Sequence, residues 1–325
     1  MKGVLLPVKP AVRLLAALLL PLLIAACGGG GGEKAPPTPT PIDLTRDDLG
    51  RSVAPPASPQ RVVALSPTVV ELMYAVGATP VGRPSSANYP EAAKAVQAFG
   101  ESRSPSFEAI AAMKPDLVIA DALLHQTIAD NLSKQLNVPV FAVRVASFND
   151  VTRGLRTVGA LTGKKEAGET QAKALEIKLA DIKAKLPANG PTVLVLVAAG
   201  QNQFIAGRGN TYLGDILSLL GARNLVTSEP ENFNYPGFTD YSLERIVEKN
   251  PDVIIAASIG GPPGTPKTSD ILKSVPAFAS LSAVKNGHVY EVDAFVYIQS
   301  AGPRVSQILD ELPKLLYPGV FAATR

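Results

Sequence analysis

Ser106-Phe107-Glu108-Ala109-Ile110 leads into Pro115-Asp116-Leu117-Val118-Ile119-Ala120, and Ser242-Leu243-Glu244-Arg245-Ile246 leads into Pro251-Asp252-Val253-Ile254-Ile255-Ala256. Aligned without gaps over 106–120 and 242–256, seven of the 15 positions are identical: serine, glutamate, isoleucine, proline and aspartate, then a second isoleucine and an alanine. Each copy reads as a short helix, a turn at the proline and a buried strand. The trio Asn88-Tyr89-Pro90 also recurs, as Asn234-Tyr235-Pro236, upstream of each copy. Convergence of two helix–turn–strand units would account for the Pro-Asp strand, but not for a Tyr-Pro element in the same order. The pattern predicts two related lobes.

Outward from the repeat, strand-like and helical runs alternate. Arg61–Leu65, Asp116–Ala120 and Val138–Val143 read as strands, Thr68–Val76 as a helix, and the alternation restarts at Thr192–Ala198. This is the signature of parallel α/β layers. Gly163 closes one helix, and a longer one is predicted from Lys165 to Leu186, with Leu175, Leu179, Ile182 and Leu186 on one apolar stripe. At 1.5 Å per residue it would be roughly 33 Å long, enough to cross between lobes; a packing helix within one domain would look the same locally. The expected architecture is α/β, with an N-terminal lobe at 42–163, a bridging helix at 164–187 and a C-terminal lobe at 188–325.

Ahead of the lobes stand Lys2, Lys9 and Arg13, then an apolar run from Leu14 to Ala26, shorter than a membrane span. Residues 1–26 read as a signal peptide. Cys27, the one cysteine in the chain, follows Leu23-Ile24-Ala25-Ala26 in a segment that resembles a bacterial lipobox. The alternatives are lipidation at Cys27 and ordinary cleavage beside an unused thiol. Residues 27–41, GGGGGEKAPPTPTP after the cysteine, read as a flexible and then extended tether. The chain has 31 Lys and Arg against 28 Asp and Glu, and the signal holds three of the positive charges and none of the negative. The mature chain is therefore neutral, which leaves no clustered charge for nucleic acid.

Catalytic patterns are sparse. There is no Gly-x-Ser-x-Gly elbow and no phosphate loop, and Tyr212 stands at the third glycine position of a dinucleotide fingerprint beginning at Gly207. The two histidines are too few for a converging metal set. His288 reads as part of a turn before a strand. His125 follows a strand end, where ligands gather in open sheets, but is expected as a surface helix residue. No catalytic residue, bound metal or cofactor is expected, and the chain is read as a binding module. An enzyme on the same scaffold and a structural surface lipoprotein are the competing classes.

From about Pro59 to Pro318 the chain resembles the solute-binding lipoproteins of ABC importers for vitamin B12, ferric siderophores and haem. The residues that carry the resemblance in the first lobe are Leu65-Ser66-Pro67, Glu71-Leu72, Gly77, Thr79-Pro80-Val81-Gly82, Tyr89-Pro90, Glu108 and Lys114-Pro115-Asp116-Leu117-Val118-Ile119-Ala120, and this lobe is close to the B12-binding branch. In the second they are Tyr212-Leu213-Gly214-Asp215, Ser242-Leu243-Glu244 and Gly302-Pro303-Arg304. The resemblance implies class III periplasmic binding protein architecture: two Rossmann-like lobes joined by a single long helix, with a metal chelate (cobalamin, ferric siderophore or haem) in the cleft between them. It implies a monomer, exported and lipid-anchored to the cell membrane on its periplasmic or extracellular face. Its partners would be a permease dimer and its ATPase subunits. By position in the motifs, Tyr89 would stack on or ligate the chelate, or else brace the Pro90 turn. Phe204, Phe238 and Tyr297 would offer aromatic faces from the second lobe, or pack in its core. Glu108 and Glu244 would be docking knobs for the two permease subunits, or simply favour helix N-termini. The chain departs from the B12 branch in having no tryptophan and in carrying Ile298-Gln299-Ser300 where charged residues precede the Gly-Pro-Arg element.

Overall fold

The computed structural model describes residues 42–200, 203–260 and 264–321. The signal peptide, Cys27 and the tether lie outside the described residues. In the first lobe the order is β1 (Val62–Ala64), α1 (Pro67–Ala75), α2 (Phe107–Ala112), β2 (Leu117–Asp121), α3 (Ala129–Leu136), β3 (Val140–Val143) and α4 (Phe148–Leu161). The three strands form a parallel sheet in the order β1-β2-β3, and every residue in them is buried, as continuous apolar runs between helical layers require.

The long α5 (Lys165–Lys183) leads to the second lobe: β4 (Thr192–Gly200), β5 (Gln203–Gly207), α6 (Tyr212–Leu219), β6 (Arg223–Asn224), β7 (Phe238–Tyr241), α7 (Leu243–Lys249), β8 (Val253–Ala257), α8 (Thr268–Ser274), α9 (Ser282–Lys285), β9 (Val289–Val292) and α10 (Val305–Leu316). Its sheet has the order β7-β5-β4-β8-β9, with β6 also beside β4. Strands β4, β6, β8 and β9 are parallel, but β5 runs antiparallel to both β4 and β7. The second lobe is therefore mixed where the sequence pattern suggested parallel layers throughout.

The repeat has a common structural cause in both lobes. Lys114 and Asn250, which align, both take left-handed backbone conformations, with φ of 47° and 41°, and turn the helix into the strand. The aspartate that follows then reaches across to the start of the neighbouring strand. Asp116 accepts the backbone N–H groups of Gln60 and Arg61 at 2.6 and 2.9 Å. Asp252 accepts the N–H and hydroxyl of Thr192 at 2.8 and 2.7 Å. One carboxylate per lobe thus ties the repeat's strand to the start of the strand beside it.

Helix α5 ends at Lys183, three residues before the sequence pattern predicted. The N–H groups of Lys185 and Leu186 bond three residues back rather than four, and Pro187 follows, which disfavours helix at Leu186. The helix is roughly 28 Å long at 1.5 Å per residue. Its buried residues include Leu175, Leu179 and Ile182, and one buried cluster runs without a break from Leu72 and Leu155 of the first lobe, through this stripe, to Ile216, Ile308 and Leu312 of the second. Arg156 on α4 clasps Glu169 and Glu176 on α5, both at 2.7 Å. Lys178 on α5 bonds the Ser306 carbonyl at 3.0 Å and Asp310 at 2.6 Å on α10.

The closest approach of α4 and α5 is at Gly168, where an added Cβ would stand 2.5 Å from the Leu155 carbonyl oxygen. Backbone cannot yield as a side-chain tip can. Gly168→Ala is expected to lower stability by about 1–3 kcal/mol as an overpacked contact, although alanine is worth up to about 1 kcal/mol in helix propensity. Urea unfolding checks this; a stabilised variant would mean the helices separate easily.

Candidate functional site

Glu71 lies on α1 among Thr68, Val69, Val70, Leu72 and Met73, all buried with it. A carboxylate in such surroundings must find a partner, and the partner comes from the other lobe. Arg304, just before α10, donates from Nε to Glu71 Oε2 at 2.9 Å and from Nη2 to Oε1 at 2.8 Å. The Ser300 hydroxyl adds a bond to Oε1 at 3.0 Å. The ion pair is almost out of solvent, with side-chain exposures of 9% for Arg304 and 2% for Glu71. Burial pushes the Glu71 carboxyl above its ordinary value, while Arg304 and Ser300 pull it back.

The Arg304 guanidinium is also covered by rings. It lies 4.6 Å from the ring centre of Tyr89, from the first lobe, and 4.8 Å from that of Phe295, from the second. Tyr89 precedes a cis peptide bond to Pro90 and remains 43% exposed. Its loop is gathered by the buried Arg83, which donates to the carbonyls of Pro84, Ser85, Lys94 and Val96 at 3.0–3.3 Å. Helix α6 reaches the same place: the Tyr212 hydroxyl donates to the Gly302 carbonyl at 3.3 Å. An open aromatic face, a cation beneath it and a lobe junction therefore coincide at Tyr89.

The other aromatic candidates do not reach this surface. Phe204 was expected on a loop; it lies within β5, is 2% exposed, and packs edge-on against Phe278 at 6.0 Å. Phe238 is buried with Val197, Ile205, Ala257 and Ala294. Tyr297 is 2% exposed and its hydroxyl donates to Glu311 at 2.8 Å; burial and that carboxylate raise its pKa far above the ordinary value. All three rings are buried within the second lobe. Position in a motif signalled large aromatics there; the mixed sheet holds Phe204 and Phe238 inward, and the bond to Glu311 holds Tyr297.

His125 corrects another expectation. It is fully buried, not a surface helix residue. Its Nδ1 accepts the Asp121 N–H at 3.0 Å and its Nε2 faces the Ser102 carbonyl at 2.9 Å. That pattern is satisfied by one neutral tautomer, with the proton on Nε2, and burial holds the ring below its ordinary pKa. Both nitrogens are engaged in closing the loop after β2. His288 stands at the turn before β9, stacked on Tyr290, as expected.

Glu108 and Glu244 are the second residues of α2 and α7, in the first turn of each, and both are exposed. The capping is done by the serines: Ser106 Oγ accepts the Ala109 N–H at 3.2 Å and Ser242 Oγ the Arg245 N–H at 3.3 Å. Glu71, Arg304 and Phe295 had no assigned role in the sequence. A single acid inside an apolar helix was the available signal.

A family profile described as periplasmic binding protein matches residues 62–295. A putative ABC transporter substrate-binding lipoprotein of Bacillus subtilis is 29% identical over 287 residues, covering 82% of this chain and 86% of the relative. The Fe(3+)-citrate-binding protein of the same organism is 27% identical, covering 81% and 82%. A vitamin B12-binding protein of Salmonella choleraesuis is 27% identical over 201 residues, covering 62% and 73%. Among solved structures, an ABC transporter substrate-binding protein from Listeria monocytogenes shares the fold at a TM-score of 0.67 and 23% identity, over 80% of this chain and 99% of the other.

The cross-lobe ion pair yields a direct test. Glu71→Ala leaves Arg304 buried without its counter-charge and should cost about 3–5 kcal/mol. Combining it with Arg304→Met should recover most of that loss, because the stranded charge is then gone. A single change costing under about 1 kcal/mol would mean that the pair is solvated in solution.

Proposed function

The chain belongs to the periplasmic binding protein family, and on that premise we propose that it is the solute-binding component of an ABC importer, capturing a metal chelate at the junction of its lobes and delivering it to a permease. The observation that carries the reading is the exposed ring of Tyr89 lying on Arg304 of the opposite lobe. A flat complex would rest on that ring, and the guanidinium beneath would polarise it. Ferric siderophores, corrinoids and haem all satisfy the geometry in offering a metal-centred body with a flat or acidic face. The protein itself needs no catalytic group or resident cofactor for this work.

The remaining parts follow from the same role. Acylation of Cys27 after cleavage at Ala26 would hold the protein at the membrane, and residues 28–41 would let the lobes stand off from it. The chelate-loaded monomer would meet the permease through Glu108 and Glu244, one on each lobe. Two separated rim charges fix orientation and steer association, while contributing little to affinity for the cargo.

Titration with ferric citrate, cyanocobalamin and haemin, followed by absorbance, tests the ligand side. Tyr89→Ala is expected to weaken the complex that forms by roughly 1–3 kcal/mol while the protein still unfolds in one cooperative transition, lowered only by the lost contact with Arg304. An unaltered dissociation constant would remove Tyr89 from the site.

The docking side separates from it. Changing Glu108 and Glu244 together to lysine is expected to abolish uptake in cells while chelate affinity and Tm stay within error. Normal uptake by that variant would leave the two glutamates as helix-end residues alone.

A further inference from the structure

The buried ring of His125 lies where three pieces of the first lobe meet. Its Nδ1 accepts the N–H of Asp121, the last residue of β2, at 3.0 Å. Its Nε2 donates to the Ser102 carbonyl at 2.9 Å, and the Ser102 hydroxyl donates to the Leu65 carbonyl, just past β1, at 2.8 Å. The grip on Ser102 reaches further. Residues 97–100 pair with the base of the Tyr89 loop: the Arg83 N–H bonds Gln97, the Phe99 N–H bonds Arg83, both at 3.0 Å, and the Ser85 N–H bonds Gly100 at 2.8 Å. On the other side Pro105 bridges back to Gly100, Ser106 caps α2, and Glu108 stands in its first turn. Ser102 is therefore held midway along the stretch that joins the Tyr89 loop to the Glu108 helix.

This arrangement tolerates one protonation state of the ring. Nδ1 must offer a lone pair to the Asp121 N–H, so a second ring proton would set N–H against N–H. The Asp121 carboxylate is engaged elsewhere, accepting the N–H groups of Leu123 and Leu124 at 2.9 and 3.3 Å and the hydroxyl of Ser66, which caps α1. Burial holds the ring below its ordinary pKa; the Ser102 carbonyl and the Asp121 charge pull the other way, and Arg103, next to Ser102, adds to the depression. Of the other charged groups on the adjoining elements, Glu101 is exposed and Asp130, in the first turn of α3, pairs with Arg51 at 2.8 Å. An imidazole released into water takes up a proton near pH ~6.5. The stability contributed by the neutral ring is thus complete above that value and is lost as the pH falls from it toward the lower value of the closed ring.

We propose that His125 is a proton-operated latch: neutral, it ties the stretch between the Tyr89 loop and the Glu108 helix to the end of β2, and in acid a proton from water occupies Nδ1 in place of the Asp121 N–H and favours release of that stretch. One titrating group then acts on the order of both the Tyr89 loop and the start of α2, because Ser102 lies between them. The latch rests on the fold of the first lobe and is independent of which cargo the protein carries.

The test uses the full-length, detergent-solubilised protein without cargo, between about pH 7.5 and 5, and reads amide hydrogen exchange corrected for intrinsic rates together with the NMR titration of the two histidine rings. The opening constant of the Asp121 amide and of the amides in residues 99–106 is expected to rise roughly 30-fold by pH ~5, the factor set when the open ring titrates near 6.5 and the closed ring stays neutral. His125→Asn, whose Oδ1 can accept the Asp121 N–H but cannot gain a proton, should change by less than about threefold over the same range. A parent whose opening responds to pH no more than that variant overturns the latch. A His125 ring that titrates near its ordinary value while the stretch stays protected overturns it too, because the fold then accommodates the imidazolium. Should His125→Asn fail to fold, the parent decides alone: opening that climbs about tenfold per pH unit below ~6.5 supports the latch, and opening flat in pH overturns it. Each of these outcomes leaves chelate capture to its own titration.

Discussion

A carboxylate and a guanidinium have been taken out of water at the junction of the lobes, and that constraint organises what surrounds them. Glu71 belongs to one lobe and Arg304 to the other, so each charge is compensated only while the lobes stand at this spacing. Parting them would break these bonds together with that from Ser300, in exchange for water at both charges. Against well-packed apolar residues such a pair offers little net stability; its contribution is geometrical. It fixes where Ser300, Gly302 and Phe295 lie with respect to α1, and it holds a cation under the ring of Tyr89.

The same economy of fixed contacts shapes the rest of the junction. Arg83 is nearly buried, and its donors go to four backbone carbonyls that draw the Tyr89 loop into one conformation. Helix α5 is clasped to α4 through Arg156 and to α10 through Lys178, and it shares a continuous apolar cluster with both lobes. A body connected in this way deforms stiffly. Under the reading proposed above, recognition then depends on side chains already in place, the exposed ring of Tyr89 first among them.

How much of this could be read in the sequence depended on whether the cause was local. The Pro-Asp repeat was legible because each aspartate does one local job, receiving the N–H groups at the start of the adjacent strand, and the job recurs with the residues. The serine caps and the end of α4 before Gly163 were legible for the same reason. The aromatic candidates were not. Whether Phe204, Phe238 and Tyr297 face inward is decided by the antiparallel β5 and by Glu311, both remote from any pattern around those residues. His125 misled in the opposite direction, since its partners are backbone groups at Asp121 and Ser102, which leave no mark on side-chain composition. Glu71 was the missed opportunity, because an acid among five buried neighbours demands a counter-charge from somewhere.

The two rim glutamates combine a helix-end position with the exposure that the proposed docking role requires. A carboxylate in the first turn favours its helix through the macrodipole, but it would be unavailable to a partner if it were also the capping acceptor. Here the serine oxygens take that task, and both glutamates stay exposed. The Glu244 carboxyl is held below its ordinary pKa by its own N–H and by Ser242. Its near neighbour Arg245 is turned away from it, paired with Glu229 and laid over Tyr241. The cation that could have neutralised Glu244 is thus committed elsewhere.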